Sequence, residues 1–238
     1  MVQASFPIEI MHTQLPPVIL IHGWGGSFEG TWVKQGWRDA LEASGREVIG
    51  IDVRGHGRTP ASHDPADYGD LASDVDAQLP DGPLDAVGFS LGGKLTLELA
   101  SRNPTRFRRI VIGGLGDNIF AKELGSALAD ALERGLPAED RAKMPVMAAY
   151  VDESPSDYKA IAAAIRRPHN PQADVSRLQA IQSGILLING DKDTVADPDA
   201  CLRAALPRHE YLSLPGVDHF TMHHQASFRD AAVAYLNG

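Results

Sequence analysis

Leu84-Asp85-Ala86-Val87-Gly88-Phe89-Ser90-Leu91-Gly92-Gly93 joins a short apolar run to a helix-forming one through the pattern G-x-S-x-G. A run that is apolar without alternation reads as a strand covered on both faces. Leu91 to Arg102 then continues with the apolar spacing of a helix. Gly88 and Gly92 leave room for a tight strand-to-helix turn, with Ser90 strained at the helix N-terminus. In that position the hydroxyl is exposed, and the Leu91 N–H points at any oxyanion developing beside it. The same five residues also suit a glycine-tolerant turn with Ser90 as a plain N-cap, so the surroundings must decide.

Outward from this turn, similar apolar runs recur at Val18 to Ile21, Glu47 to Ile51, Arg109 to Leu115, Ile185 to Asn189 and His209 to Leu214. Helical patterns separate them at Trp32 to Ala43, Tyr68 to Leu79, Asp199 to Leu206 and Gln225 to Leu236. Alternation of this kind predicts an α/β fold with a mostly parallel sheet of about seven strands. Residues 117–184 break the rhythm, because no convincing strand appears in them. Phe120, Leu124, Leu128 and Leu132 repeat every four residues before Gly135, a second helix is expected from Pro155, and Asp174 is placed to cap a third. The chain is therefore read as a core of residues 1–116 and 185–238 with a helical cap inserted at 117–184.

Composition excludes several classes of partner. The chain has 238 residues, 43% hydrophobic and 22% charged, with net charge −9, so its mean field repels phosphate. Arg106, Arg108 and Arg109 form the nearest thing to a basic cluster, but they flank an apolar run and read as a solvated strand entrance; no nucleic-acid partner is expected. Ile10 to Phe28 is uncharged, yet prolines, glycines and polar residues interrupt it, so membrane insertion is not expected. The first basic residue is Lys34, which does not fit a signal peptide. The single cysteine, Cys201, rules out an intramolecular disulfide and suits a reducing compartment, and a cytoplasmic location is expected.

Further motifs bear on what Ser90 can do. Val18-Ile19-Leu20-Ile21-His22-Gly23-Trp24-Gly25-Gly26 is a strand entering a glycine-rich loop, where the Trp24 N–H can complete an oxyanion hole with that of Leu91. The loop has neither a Walker lysine nor dinucleotide spacing. A serine needs a base to take its proton, and His219 follows a strand at the edge where Ser90 must lie. His223 and His224 stand close behind His219, but no acidic ligand of fixed spacing accompanies them, and no metal or organic cofactor is expected. Three acids compete to orient the histidine: Asp193, favoured because it lies farther past its strand, Asp191, and Asp117.

In chain order H-G-W-G-G, D-V-R-G-H-G-R-T, G-F-S-L-G-G, G-D-K-D and V-D-H-F resemble the α/β-hydrolase fold superfamily over most of the chain. The family order of nucleophile, acid and histidine implies Ser90, Asp193 and His219, with Trp24 and Leu91 as oxyanion donors. The segment from Asp52 to Thr59 is given a structural role, and the early strand around Phe6 to Met11 is read as shortened or lost. A serine nucleophile implies a serine hydrolase, carboxylesterase-like, acting on a small to medium ester or thioester through an acyl-enzyme. Carbon–carbon bond hydrolysis, perhydrolysis and a non-catalytic ligand receptor remain alternatives on this scaffold.

The expected pocket draws on Trp24, Phe28, Phe89 and Phe220 from the core and on Phe120, Met144, Met147 and Tyr150 from the insertion. Such a pocket is bulky, apolar and roofed, and suits a small acyl substrate with an uncharged body.

Overall fold

A computed structural model describes residues 15–121, 126–153 and 157–238; the side chains of residues 126, 146, 147, 150 and 151 are not described. Six strands form one parallel sheet: β1 (Val18–Ile21), β2 (Val48–Ile51), β3 (Leu84–Phe89), β4 (Phe107–Gly113), β5 (Gly184–Gly190) and β6 (His209–Leu214). Their order is β2-β1-β3-β4-β5-β6. Residues 6–11, where the early strand is read as shortened or lost, lie outside the described residues.

Successive side chains of a strand point to opposite faces, and both faces here are apolar. Ile19 and Ile21 of β1 join one core cluster, while Val18 and Leu20 join the other. On the first face pack α2 (Leu71–Asp76), α3 (Leu91–Arg102), α8 (Val175–Gln179) and α9 (Ala200–Ala205). On the second face lie α1 (Trp37–Ala43) and α10 (Ala226–Asn237). There Trp37 meets Trp32 and Phe228 edge-on at 4.7 and 4.6 Å between ring centroids. Burying each of these rings contributes on the order of 2 kcal/mol or more.

Two helices begin later than their apolar patterns. A π-helical turn over Phe28–Val33 precedes α1, and Gly36 at φ 73° separates the two, because a left-handed residue cannot continue a right-handed helix. Tyr68 stays outside α2 because Asp70 caps that helix, its side chain accepting from the Ala72 and Ser73 N–H groups.

Between β4 and β5 the chain is helical, as its lack of strand patterns predicts. It contains α4 (Ser126–Glu133), α5 (Ala138–Lys143), α6 (Pro145–Asp152), α7 (Tyr158–Ile165) and α8. Asp174 caps α8 through the Ser176 and Arg177 N–H groups. The short helices α5 and α6 were not foreseen, since α5 carries the charged sequence AEDRAK and shows no apolar face. Leu178 and Ile181 join the sheet's own core, so the last part of this helical stretch packs as core.

Candidate active site

Strand order reverses about β1, with β2 on one side and β3 on the other, and ligands of open α/β sheets bind at the carboxyl ends beside such a switch point. The loops leaving β1 and β3 carry Trp24 and Ser90. Ser90 sits at φ 52°, ψ −112°, between β3 and α3. Two glycines make that turn possible. A Cβ on Gly88 would come 2.6 Å from the Gly92 carbonyl oxygen, and one on Gly92 would come 2.0 Å from that of Ile21. The Ser90 N–H is spent on the Gly113 carbonyl at 2.9 Å, which ties the turn to β4.

His219 follows β6 through a loop pinned by Asp218, which accepts from the Phe220 and Thr221 N–H groups at 2.9 and 3.1 Å. Its Nε2 lies 3.0 Å from Ser90 Oγ, and its Nδ1 lies 2.9 and 3.1 Å from the two Asp193 oxygens. A carboxylate only accepts, so Nδ1 carries the proton and Nε2 is left to accept from the serine hydroxyl. Asp193 is buried and also accepts from the Val195 and Ala196 N–H groups at 3.0 and 2.8 Å. The two rival acids are employed elsewhere. Asp117 accepts from the Leu202 and Cys201 N–H groups at 2.8 and 3.2 Å, holding the start of α9, and Asp191 accepts from the Gly216 N–H at 2.7 Å.

Beneath the Trp24 loop, His22 Nδ1 donates to the Gly23 carbonyl at 2.8 Å, and its Nε2 accepts from the Val53 N–H at 3.1 Å. The His56 ring stands 5.6 Å from Trp24 and 5.3 Å from His22. Burial pushes His56 down to about 3 and holds His22 below its ordinary value, so both stay neutral supports. Among the described residues neither the Trp24 nor the Leu91 N–H donates to another backbone group. Both residues border the Ser90 cavity.

That cavity has a volume of about 260 Å³. Of the expected pocket residues, Trp24, Phe89 and Phe220 line it beside Ser90 and His219. Phe28 does not: its ring covers Gly50 and its N–H donates to Asp52 at 2.7 Å. Phe120 packs on the sheet core, and Met144 packs with Ala131, Leu136 and Ala148. The side chains of Met147 and Tyr150 lie outside the described residues. The roof instead comes from Leu128 and Leu132 of α4 and Ile161 and Ile165 of α7.

Two cations also line the cavity, beside the apolar residues expected there. Lys94 and Arg167 are 8% and 6% exposed, and both donate to Asn170 Oδ1 at 2.7 Å. Lys94 was legible, since it follows Ser90 by four residues and so shares its helix face. Arg167 and Asn170, in R-R-P-H-N-P beyond α7, carry no pattern that points to the site.

The histidine cluster divides. His219 stays with Ser90, while His223 and His224 meet Glu153 at 2.9 and 2.8 Å. The ligand atoms of Glu153, His223 and His224 lie within 4.8 Å of one another. Glu153 comes from beyond α6, so spacing could not reveal it.

The family model described as alpha/beta hydrolase fold matches residues 16–136, and the chain belongs to that family. It is 34% identical over 101 residues to an sn-1-specific diacylglycerol lipase of Mus musculus, covering 41% of this chain and 32% of the relative. It is 41% identical over 101 residues to a pimeloyl-[acyl-carrier protein] methyl ester esterase of Aromatoleum aromaticum, covering 42% of this chain and 37% of the relative. The matched stretch thus spans about a third of those curated relatives. An esterase from Exiguobacterium antarcticum superposes with a TM-score of 0.70 at 21% identity, covering 94% of this chain and 92% of the other.

Proposed function

We propose that the protein is a serine hydrolase cleaving small to medium carboxylic esters or thioesters. The observation that carries this reading is the line from Ser90 Oγ to His219 Nε2 to Asp193, at 3.0 and 2.9 Å, on the wall of a roofed cavity. Ser90 Oγ attacks the substrate carbonyl carbon while its proton passes to His219 Nε2. Asp193 holds the imidazole in the tautomer that can accept it and stabilises the imidazolium formed. The oxygen of the tetrahedral adduct takes up the negative charge, and the Trp24 and Leu91 N–H groups face it. The adduct collapses with His219 returning the proton to the leaving alcohol or thiol. Water then attacks the acyl-enzyme by the same route in reverse.

Within the segment 117–184, α4 and α7 act as the cap and exclude water from the acyl group. The diacylglycerol lipase and methyl ester esterase relatives support cleavage of an ester bond. A panel of p-nitrophenyl esters tests the reading. Turnover is expected to peak between acetate and hexanoate and to be lost in Ser90→Ala. Full turnover in Ser90→Ala, or none on any ester in the wild type, contradicts it.

A further inference from the structure

Burying a charge costs several kcal/mol unless it is paired, and proteins seldom keep such a group without a partner of opposite sign. Lys94 and Arg167 depart from that rule together. Among the described residues, neither has a carboxylate within ion-pair distance, and no acid lines the cavity they share. Glu98 and Asp174 border a second cavity beside Lys94, and Glu98 and Asp70 act on Arg167 only through space. They share a single carboxamide oxygen, that of Asn170. Arg167 gives one further hydrogen bond, to the Ala164 carbonyl at 3.1 Å, and stacks 5.4 Å from the Trp24 ring centre. Its Nε–H is buried with no partner, and two of the three Lys94 N–H groups are unspent.

These donors belong to the reacting cavity. Lys94 stands one helical turn after Ser90, its N–H bonded to the Ser90 carbonyl at 3.0 Å, and a helical side chain leans back toward the N-terminus. Trp24, which supplies a backbone N–H beside the serine, carries Arg167 on its ring. Cations and scissile bond therefore face one small volume whose remaining roof is aliphatic.

We propose that Lys94 and Arg167 form a carboxylate subsite, so that the preferred substrate is an ester bearing an ionised carboxyl group on the acyl side, a short chain from the scissile carbonyl. The proposal rests on the ester-hydrolase reading and names its substrate class. A carboxylate rather than a phosphate fits because the site is small and otherwise apolar, and a monoanion sheds less hydration than a dianion on entering it. One helical turn and a lysine stem allow a spacer on the order of three to four carbons. The substrate carboxylate accepts from the vacant donors, and burial, with Arg167 close by, holds Lys94 at about 8, so it is charged at neutral pH. Glu98 on the next turn of α3 opposes that shift, and His219 stands across the cavity.

The test compares monomethyl glutarate and monomethyl adipate with methyl pentanoate and methyl hexanoate, by methanol release at pH 7. The wild type is expected to favour the carboxylated member of each pair at least tenfold in kcat/KM. Lys94→Met and Arg167→Met should each lower that ratio by about tenfold to a hundredfold, as lost hydrogen bonds to a charged group do. Arg167→Lys should restore part of it. A ratio taken within one protein cancels losses common to both esters. If neither methionine variant folds, the wild-type ratio decides: it should fall as pH rises through 8, and a flat ratio to pH 9.5 overturns the proposal. Equal or faster hydrolysis of the neutral esters overturns it and leaves ester hydrolysis standing. So does preference for methyl 4-phosphonobutanoate over the glutarate, which marks a phosphate site. No hydrolysis of any ester defeats the underlying reading as well.

Discussion

Ser90 keeps a backbone conformation that costs a non-glycine residue on the order of 1 to 3 kcal/mol, and the hydrogen bond from its N–H to Gly113 helps to hold it there. The strain is legible in G-x-S-x-G, because glycines at 88 and 92 are needed only where a Cβ would strike backbone. The partner acid was less legible. Asp117, Asp191 and Asp193 all follow strands, and what separates them is which backbone N–H groups and which ring each carboxylate meets, a tertiary fact. On this geometry Asp193→Asn should lower kcat by roughly three to four orders of magnitude, by favouring the wrong histidine tautomer. Asp117→Ala should leave kcat within a few-fold and instead cost about 1 kcal/mol of stability, since it removes acceptors at the start of α9. Steady-state kinetics and denaturant unfolding on the two variants check both outcomes; the reverse pattern would reassign the acid.

At the level of elements, the strands were readable because continuous apolar runs between glycine and proline punctuation survive any tertiary arrangement. The helices were readable in place but not in extent, as Gly36 and the Asp70 cap show. The roof was the least readable part. Phe120 and Met144 are large and apolar, yet Phe120 packs on the sheet core and Met144 against Ala131, Leu136 and Ala148, while Leu128, Leu132, Ile161 and Ile165 face the cavity. Helical periodicity identifies a buried face without saying what it is buried against. Leu132→Ala is therefore expected to enlarge the space over Ser90 and move the optimum of the p-nitrophenyl ester series by one to two carbons toward longer chains. It should cost about 2 to 4 kcal/mol of stability. Measured kcat/KM across acyl lengths checks this, and an unchanged optimum would show that α4 does not bound the acyl group.

Across the whole molecule, net charge misleads about the site. A chain of −9 keeps two buried cations in its cavity, and composition averages over that arrangement. Burial of neutral histidines has a second global consequence. His56 is held at about 3, far below its ordinary value, so between pH 6.5 and 3 the unfolded chain takes up a proton that the folded chain refuses. Stability contributed by the neutral ring is therefore present above about pH 6.5 and lost as pH falls toward 3, by up to about 1.4 kcal/mol per pH unit. Denaturant unfolding between pH 7 and 4.5 should show that slope, and His56→Gln should flatten it. Among the described residues no helix is long and apolar enough to cross a membrane.

The claim on which the mechanism depends is that Ser90 becomes covalently acylated. An alkyl fluorophosphonate reports this directly, because it captures an activated serine without requiring the natural substrate. Intact-mass spectrometry after incubation should show one adduct per chain, and peptide mapping should place it on Ser90. The adduct should be lost in Ser90→Ala and form far more slowly in His219→Ala. No adduct, or one on another serine with Ser90 unmodified, would contradict the account.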